Sequence, residues 1–462
     1  MSTLPTVRKK ANGTIILCRV VEIEVPVGGS LYEAESRMQA ALQEAGVELT
    51  TLLLQSADAD GRPLTRDGVR LTAKSVKEPL IVECTFGSVR IERWAYQSSS
   101  GGSCVYPLDE KMDLIGAATP KLARSIAFKS AHTPAARVAE DLADNHARKV
   151  SVHFIQNLSA LMGEIIIEAD PAPDTGKMPP PEEVVTIAVG VDGTCIQMTS
   201  VDEEAAAAAA EAPPGTPRDR RKHRSLEWHI AMVGTFTLLD KEGQRLGSIY
   251  TGCAPPECPA DGKEVFWFLM EQELAAIKNK YPSASYVGIS DGERDFVPWL
   301  QQHTGRLILD FWHAAGYLGA VAPAMVEGRG RKARAREWLD RACHELKHTD
   351  GAAGRLLAEM KARQEAHGDG TAAGKALHKA VNYYTNNIGR MDYAARLREK
   401  QPIGSGVTES ACGLIIKDRL CGRGMRWSFP MAQNMISLRS LICTMGKRWD
   451  TFWKTNNTSL IT

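Results

Sequence analysis

Two β-branched runs in this chain end on the same dipeptide, and that repetition constrains the fold more than any other feature. Val184-Val-Thr-Ile-Ala-Val-Gly-Val191 leads into Asp192-Gly193, and Ser285-Tyr-Val-Gly-Ile-Ser290 leads into Asp291-Gly292. Short apolar runs bounded by turn-forming residues predict strands. A single Asp-Gly after a strand is an ordinary turn. Two of them in corresponding strand positions predict neighbouring strands whose ends bring two acids together.

The surrounding pattern supplies the rest of an α/β core. Residues 228–239 and 245–253 read as strands joined by a hairpin at Asp240-Lys-Glu-Gly243. Helical spacing follows over 262–280, then the second Asp-Gly strand, a short helix over 295–303, and Leu307-Ile-Leu309 running into Asp310. Residues 313–393 read as helix, broken at 351–354 and 368–374. Three strands, a helix, a strand, a helix and a strand form the connectivity of a ribonuclease-H-like core. The long helical segment is then an insertion after its last strand.

Upstream, residues 14–26, 80–86 and 89–96 predict strands around a helix over 31–45. Residues 121–168 look all-helical, with Thr133 as a cap, Pro134 in a first turn and Ser151 opening the last helix. That pattern suits a helix-turn-helix or a plain bundle. The division expected is a β-rich N-terminal domain (1–118), a helical and possibly DNA-binding domain (119–170), a proline-rich linker (171–183), the catalytic core (184–313), the helical insertion (314–400) and C-terminal helices that complete the core (401–462). An alanine-rich stretch at 205–212 and a basic stretch at 218–224 predict a mobile loop.

With 462 residues, 44% of them hydrophobic and 24% charged, the chain can bury a core without disulfide or metal staples. Its ten cysteines have no paired spacing, which predicts reduced thiols. Cys253 and Cys258 have no second pair at metal-site distance, so they read as loop residues. No apolar run can cross a membrane, and Met1-Ser-Thr-Leu-Pro5 is no signal peptide. The net charge of +1 is low for a nucleic-acid protein. Local basic patches, however, matter more than the sum.

A third acid stands in Gly404-Ser-Gly-Val-Thr-Glu-Ser-Ala-Cys412, which opens a predicted helix and carries Glu409. Asp192, Asp291 and Glu409 would repel one another if ionised together. Hard divalent cations relieve such repulsion, and Mg²⁺ with carboxylate and phosphate oxygens is the usual case. Two ions about 3.5–4 Å apart serve phosphodiester chemistry, with Mn²⁺ as a substitute. Asp310-Phe-Trp-His313 is a separate signal: a helix-capping Asp with a buried, hydrogen-bonded His, or support for the metal site, or a donor to phosphate or to a base.

Taken together, Val191-Asp-Gly-Thr194, Ser290-Asp-Gly-Glu-Arg-Asp-Phe296, Leu309-Asp-Phe-Trp-His-Ala314, Pro402-Ile-Gly-Ser-Gly-Val-Thr-Glu-Ser-Ala-Cys412, Arg419-Leu-Cys-Gly-Arg-Gly-Met-Arg-Trp-Ser428 and Arg448-Trp-Asp-Thr-Phe-Trp453 resemble DDE transposases of the ISKra-type insertion sequences, relatives of the Mutator-like transposases. The resemblance runs from about Val184 to Trp453. It implies a ribonuclease-H-like fold, catalytic and metal-binding roles for Asp192, Asp291 and Glu409, and a signature matched by Asp310 and His313. It also implies Mg²⁺, double-stranded DNA (terminal inverted repeats and target) as substrate, a homodimer or larger assembly on DNA, and a prokaryotic cytoplasmic, nucleoid-associated setting.

Basic residues near the core predict DNA contacts: Arg329, Arg331, Lys332, Arg334 and Arg336 in one run, and Arg419, Arg423 and Arg426 beside the Glu409 segment. Trp427, Trp449 and Trp453 read as core. Relatives often carry a Cys-x-x-Cys knuckle before a Pro-Leu-Asp-Glu segment. Here only Cys104 precedes Pro107-Leu-Asp-Glu110, which puts an N-terminal zinc site in doubt. The rival readings are a ribonuclease-H-like nuclease without strand transfer and a catalytically silent, transposase-derived DNA-binding protein.

Overall fold

In a computed structural model, residues 4–169, 177–201, 224–256, 263–367 and 370–455 are described. The architecture is mixed α/β with several sheets. The chain divides into two compact units, 1–171 with 449–462, and 172–448. The last helix, expected to complete the core, is therefore grouped with the N-terminal unit. No helix among the described residues is long and apolar enough to cross a membrane.

The first unit opens with a hairpin, β1 (Thr6–Lys9) and β2 (Ile15–Cys18), then α1 (Leu31–Ala57). The strand expected over 14–26 is thus only four residues long, and the helix expected to end at 45 runs on to Ala57. Ser30 starts α1 by accepting from the Glu33 N–H (3.2 Å), an N-cap contact. Next come β3 (Leu64–Arg66), β4 (Val69–Ala73), β5 (Glu78–Glu83), β6 (Ser88–Arg93), β7 (Tyr96–Ser98), β8 (Gly101–Val105) and the short α2 (Pro107–Lys111). Strands β3, β4, β7 and β8 form one antiparallel sheet, and β5 and β6 pair as a hairpin. Leu54 and Ala57 of α1 pack with Val82, Val89, Ile91 and Leu108.

Three helices follow: α3 (Pro120–His132), α4 (Ala135–His146) and α5 (Val152–Ala169). Thr133 closes α3 instead of capping α4, and Pro134 stands just outside α4. Ser151 opens α5 by accepting from the Phe154 N–H (3.1 Å).

The second unit is built on one sheet. Its strands are β9 (Thr186–Val201), β10 (Arg224–Leu239), β11 (Arg245–Cys253), β12 (Ser285–Ser290) and β13 (Arg306–Leu309), in the order β11-β10-β9-β12-β13. The first three are antiparallel, and β9, β12 and β13 run parallel. Asp240 closes the β10–β11 turn by accepting from the Glu242 and Gln244 N–H groups. Strand β9 does not stop at Asp192 as expected. Pairing with β10 carries it on to Val201, so Asp192 lies within a long hairpin. Residues 205–212 and 218–223 and Cys258 lie outside the described residues.

One face of the sheet is covered by α6 (Glu264–Lys280) and α7 (Val297–His303). Val189, Val191, Met232 and Phe236 pack there against Phe266, Met270 and Leu274. After β13 come α8 (Phe311–Val321), α9 (Arg331–His348), α10 (Ala352–His367), α11 (Ala372–Asn387) and α12 (Tyr393–Arg398). These share a core of their own, including Leu318, Trp338, Met360, Leu377 and Tyr384, joined to the sheet through Ile308 and Leu309.

The other face receives α13 (Gly406–Ala411), a π-helical segment (Cys412–Lys417), α14 (Asp418–Leu420) and α15 (Phe429–Cys443). The last element among the described residues is α16 (Arg448–Thr455), where Trp449 stacks on Phe452 (centroids 6.2 Å apart, 8° between planes).

Candidate active site

The sheet sets the first two acids side by side. Ser285 is level with Thr186 and Ile289 with Gly190 in the parallel β9–β12 pairing. Carrying that register two residues further places Asp291 alongside Asp192. Gly292 then turns the chain at φ +101°, a conformation that side chains disfavour. Asp291 Oδ1 accepts from the Glu293 N–H (2.9 Å), and its carbonyl accepts from the Tyr383 hydroxyl (2.7 Å).

Glu409 arrives on α13, and the approach of that helix depends on a missing side chain. A Cβ at Gly190 would lie 2.0 Å from the Thr408 hydroxyl oxygen and 3.0 Å from that of Thr235. Those two hydroxyls are 2.8 Å apart and buried. Glycine on β9 therefore lets α13 lie directly on the sheet, and Glu409 comes with it. The π-helical turn that follows brings Cys412 to Asp192, with Sγ 3.4 Å from Oδ2. Single π-turns inside helices are common at functional sites.

The electrostatics mark Asp192 as strained without a cation. Burial raises its pKa above the ordinary value, and the charges of Asp291 and Glu409 raise it further; donation from Gly193 and Cys412 only partly offsets this. Burial, then the neighbouring Asp192, drives the Cys412 thiol well above its usual range, so it stays a protonated donor. Asp192, with the charges of Asp291 and Glu409 beside it, offers hard oxygens of the kind that hold Mg²⁺ or Mn²⁺; among the described residues, however, the ligand atoms that lie within 4.8 Å of one another are those of a different set.

A second cluster adjoins the first. Donor atoms of Asp310, His313 and Glu409 all lie within 4.8 Å of one another. Asp310 is fully buried and caps α8. Its Oδ1 accepts from the His313 N–H (2.7 Å) and faces His313 Nδ1 (3.0 Å). Its Oδ2 accepts from the Ser405 N–H (2.5 Å) and hydroxyl (2.8 Å). Burial pushes the Asp310 pKa up, but these four contacts together outweigh burial and hold it below the usual carboxylate value. Both oxygens are thus committed, and Asp310 acts as a post to which the Gly-Ser-Gly loop is tied.

Ser405 passes the connection on, with its hydroxyl 3.0 Å from Glu409 Oε1. The His313 ring is half-exposed, with Nδ1 3.8 Å from the same Glu409 oxygen. With Nδ1–H directed at Asp310, a neutral ring presents Nε2 as an acceptor. The buried histidine of the capping alternative is therefore not what forms: the Asp is buried and its His reaches out toward Glu409.

The basic residues separate into two groups. Arg329, Arg331, Lys332, Arg334 and Arg336 are exposed around the start of α9, and Arg423 and Arg426 are exposed after α14. Arg419 is different. It is buried with its guanidinium 5.0 Å from the Trp427 ring centre. Burial, then repulsion from Arg439, lowers its pKa to about 10. Its placement is that of a packing residue, and a phosphate contact from it would require the Trp427 stack to open. Trp427, Trp449 and Trp453 are all buried.

Tyr383 carried no sequence signal, yet it braces the turn after β12. Its ring stacks on Tyr317 (centroids 4.0 Å apart, 16° between planes) while its hydroxyl holds the Asp291 carbonyl. Tyr383→Phe keeps the stack and removes one hydrogen bond, so an expected loss of about 0.5–1.5 kcal/mol should appear in urea unfolding. Unchanged stability would show that the hydroxyl is not bracing the turn. Ser405, Thr408 and Cys412 lay in a motif whose glutamate alone drew attention.

No family model matches the chain, and no curated protein matches it.

Proposed function

We propose that the chain is a DNA transposase of the DDE class, similar to the ISKra-type and Mutator-like enzymes, with a ribonuclease-H-like catalytic core. The observation that carries this reading is the approach of Asp291 and Glu409 to Asp192, from a parallel strand and an overlying helix, with the proton affinity of Asp192 raised first by burial and then by those two charges. The sheet order β11-β10-β9-β12-β13, with β10 antiparallel to both its neighbours and the other strands parallel, supports the ribonuclease-H-like part of the reading. The substrate is double-stranded DNA, cut at the element's ends and joined to a target.

Asp192, Asp291 and Glu409 would hold the divalent cations. Bound there, such ions neutralise the acids, favour ionisation of water and balance charge on a phosphodiester. The protein's own residues do the placing. Asp192 is fixed by the Gly193 N–H (2.7 Å) and the Cys412 thiol, and Glu409 by Ser405. His313 Nε2 is on hand as a proton acceptor at the edge of the site. The exposed basic residues at the start of α9 and after α14 supply phosphate contacts, with salt-dependent affinity.

The testing experiment incubates the protein with DNA flanking its own element, in Mg²⁺ or Mn²⁺ and in chelator. Metal-dependent nicking together with joined product is the expected result. Nicking without joining would reduce the reading to a nuclease, and binding without cleavage would replace it with a non-catalytic DNA-binding protein.

A further inference from the structure

The β9–β10 hairpin leaves one edge open. Strand β11 covers β10 only as far as Met232, which pairs with Cys253 at the end of β11. Ala254, Pro255 and Pro256 follow. The Ala254 N–H turns aside to the Gln433 side chain (2.8 Å), and proline has no N–H to extend a ladder. The opposite edge of the hairpin is closed differently: beyond the end of β12, Met198 is bridged to Trp427, and the Thr199 N–H donates to the Trp427 carbonyl (2.7 Å). Among the described residues, Leu226-Glu-Trp-His-Ile-Ala231 therefore has β9 on one side and no strand on the other.

Apart from one charged side chain, Glu227, this segment lacks the usual protections of an edge strand. It contains neither Lys nor Pro. Its alternate side chains Leu226, Trp228 and Ile230 are 41%, 66% and 55% exposed. Beside them, where β11 stops, lies a recess of about 670 Å³ whose walls include Trp228, Ile230, Pro255 and Pro256. Alternating with them along the strand, Glu227 and His229 stand 3.3 Å apart (Oε2 to Nε2), and the His229 ring packs edge-on against Phe429 at the recess (centroids 5.5 Å apart).

We propose that this edge pairs with the same edge of a second copy of the chain, antiparallel about a two-fold axis through Trp228. Two five-stranded sheets then become one continuous sheet. The sequence is self-complementary in that register. Leu226 meets the partner's Ile230, Glu227 meets the partner's His229, and Trp228 meets the partner's Trp228. Apolar side chains lie opposite apolar ones on one face, and an acid lies opposite an imidazole on the other, the pairings that stabilise adjacent strands. Centring the axis one residue earlier would set Glu227 against its own copy, a like-charge pair. The complementarity singles out a second copy, because an unrelated strand would have no reason to match it residue by residue. The contact is isologous and closes on itself as a dimer. So short a strip falls below the standard interface of about 1,600 Å², which implies a reversible dimer at micromolar concentrations.

The test is sedimentation velocity on the full chain without DNA, from about 1 to 100 µM. This separates it from the catalytic reading, which could fail without touching it. The wild type is expected to pass from monomer to dimer across that range. Glu227→Lys and His229→Glu should each weaken dimerisation by about tenfold or more, with circular dichroism showing both folded. Mixed together, the two variants should dimerise again. In that mixture the new lysine faces the new glutamate, and the unchanged His229 faces the unchanged Glu227. A wild type that stays monomeric at the highest concentration would overturn the proposal. So would single variants that dimerise like the wild type, or a mixture no better than its components.

Discussion

Asp192→Asn should give a protein that melts higher than the wild type in chelator and yet cuts DNA at least about 10³-fold more slowly in Mg²⁺. The two effects have one origin. Asp192 is partly buried, and its proton affinity is raised first by that burial and then by Asp291 and Glu409. Without a cation, its negative charge opposes folding at neutral pH. The amide keeps the shape and removes the repulsion; its single oxygen can still accept from the Gly193 N–H, while its N–H₂ replaces the oxygen that faced the Cys412 sulfur. In a chain of 462 residues 1 kcal/mol corresponds to about 1 °C, so a small but reproducible gain of up to about 1 °C in melting temperature is the expected scale.

The same substitution deprives a cation of a charged ligand, and the proposed chemistry goes with it. Mg²⁺ should raise the melting temperature of the wild type and raise that of the variant much less, since binding to the folded state alone stabilises it. Thermal scans with and without Mg²⁺, beside a cleavage assay, read all three numbers. Cutting at near the wild-type rate, or equal stabilisation of both proteins by Mg²⁺, would remove Asp192 from the site. Asp291→Ala should abolish cleavage as well. It tests the same centre without the stability gain, because the Asp291 side chain also holds the Glu293 N–H.

The parts of this site that were legible in the sequence are those set by period and punctuation. The strand over 285–290 was read to the residue, because Pro282 precedes it and Asp-Gly ends it. The hairpin at Asp240 was equally plain, since an Asp with a Gly three residues on between two apolar runs is local chemistry. What local pattern does not carry is how far a strand continues once its partner accompanies it. Strand β9 runs nine residues beyond Asp192 only because β10 pairs with it throughout. The short strand at Ile15–Cys18 shows the converse: β-branched residues continue past it, but its partner β1 has only four residues to offer.

The side-chain network around the acids was hidden for a related reason. Gly190 reads as an interruption in an apolar strand, and its meaning appears only when Thr408, more than two hundred residues later, is laid on it. Arg419 shows the opposite error. An arginine in a Gly-Arg-rich segment near an active site suggests phosphate, and nothing local announces that Trp427 covers it.

Asp310→Ala is expected to lower stability by about 3–5 kcal/mol and to abolish cleavage, although Asp310 is not among the three acids. The carboxylate is fully buried, and four donors converge on it. Alanine would leave the Ser405 and His313 N–H groups unpaired in the interior and remove the N-cap of α8, a contact worth about 1 kcal/mol by itself. The loop carrying Ser405 would lose its anchor, and Ser405 also touches Glu409, so the third acid would lose its place. Asp310→Asn is the finer probe. It fits the same space but turns an N–H₂ toward groups that are themselves donors, so it should cost less than alanine and still impair cutting.

The pH dependence follows from the direction of the shift. The folded pKa of Asp310 lies below its unfolded value. Its contribution is therefore complete above about pH 4, the ordinary aspartate value, and is lost as pH falls through the lower folded value. Urea midpoints measured between about pH 3 and 6 should show an acid limb in the wild type that is diminished in Asp310→Asn. If Asp310→Ala were as stable as the wild type, the four contacts would be incidental. If it were unstable but the small fraction still folded cut DNA at the wild-type rate, Asp310 would hold up α8 without positioning Glu409.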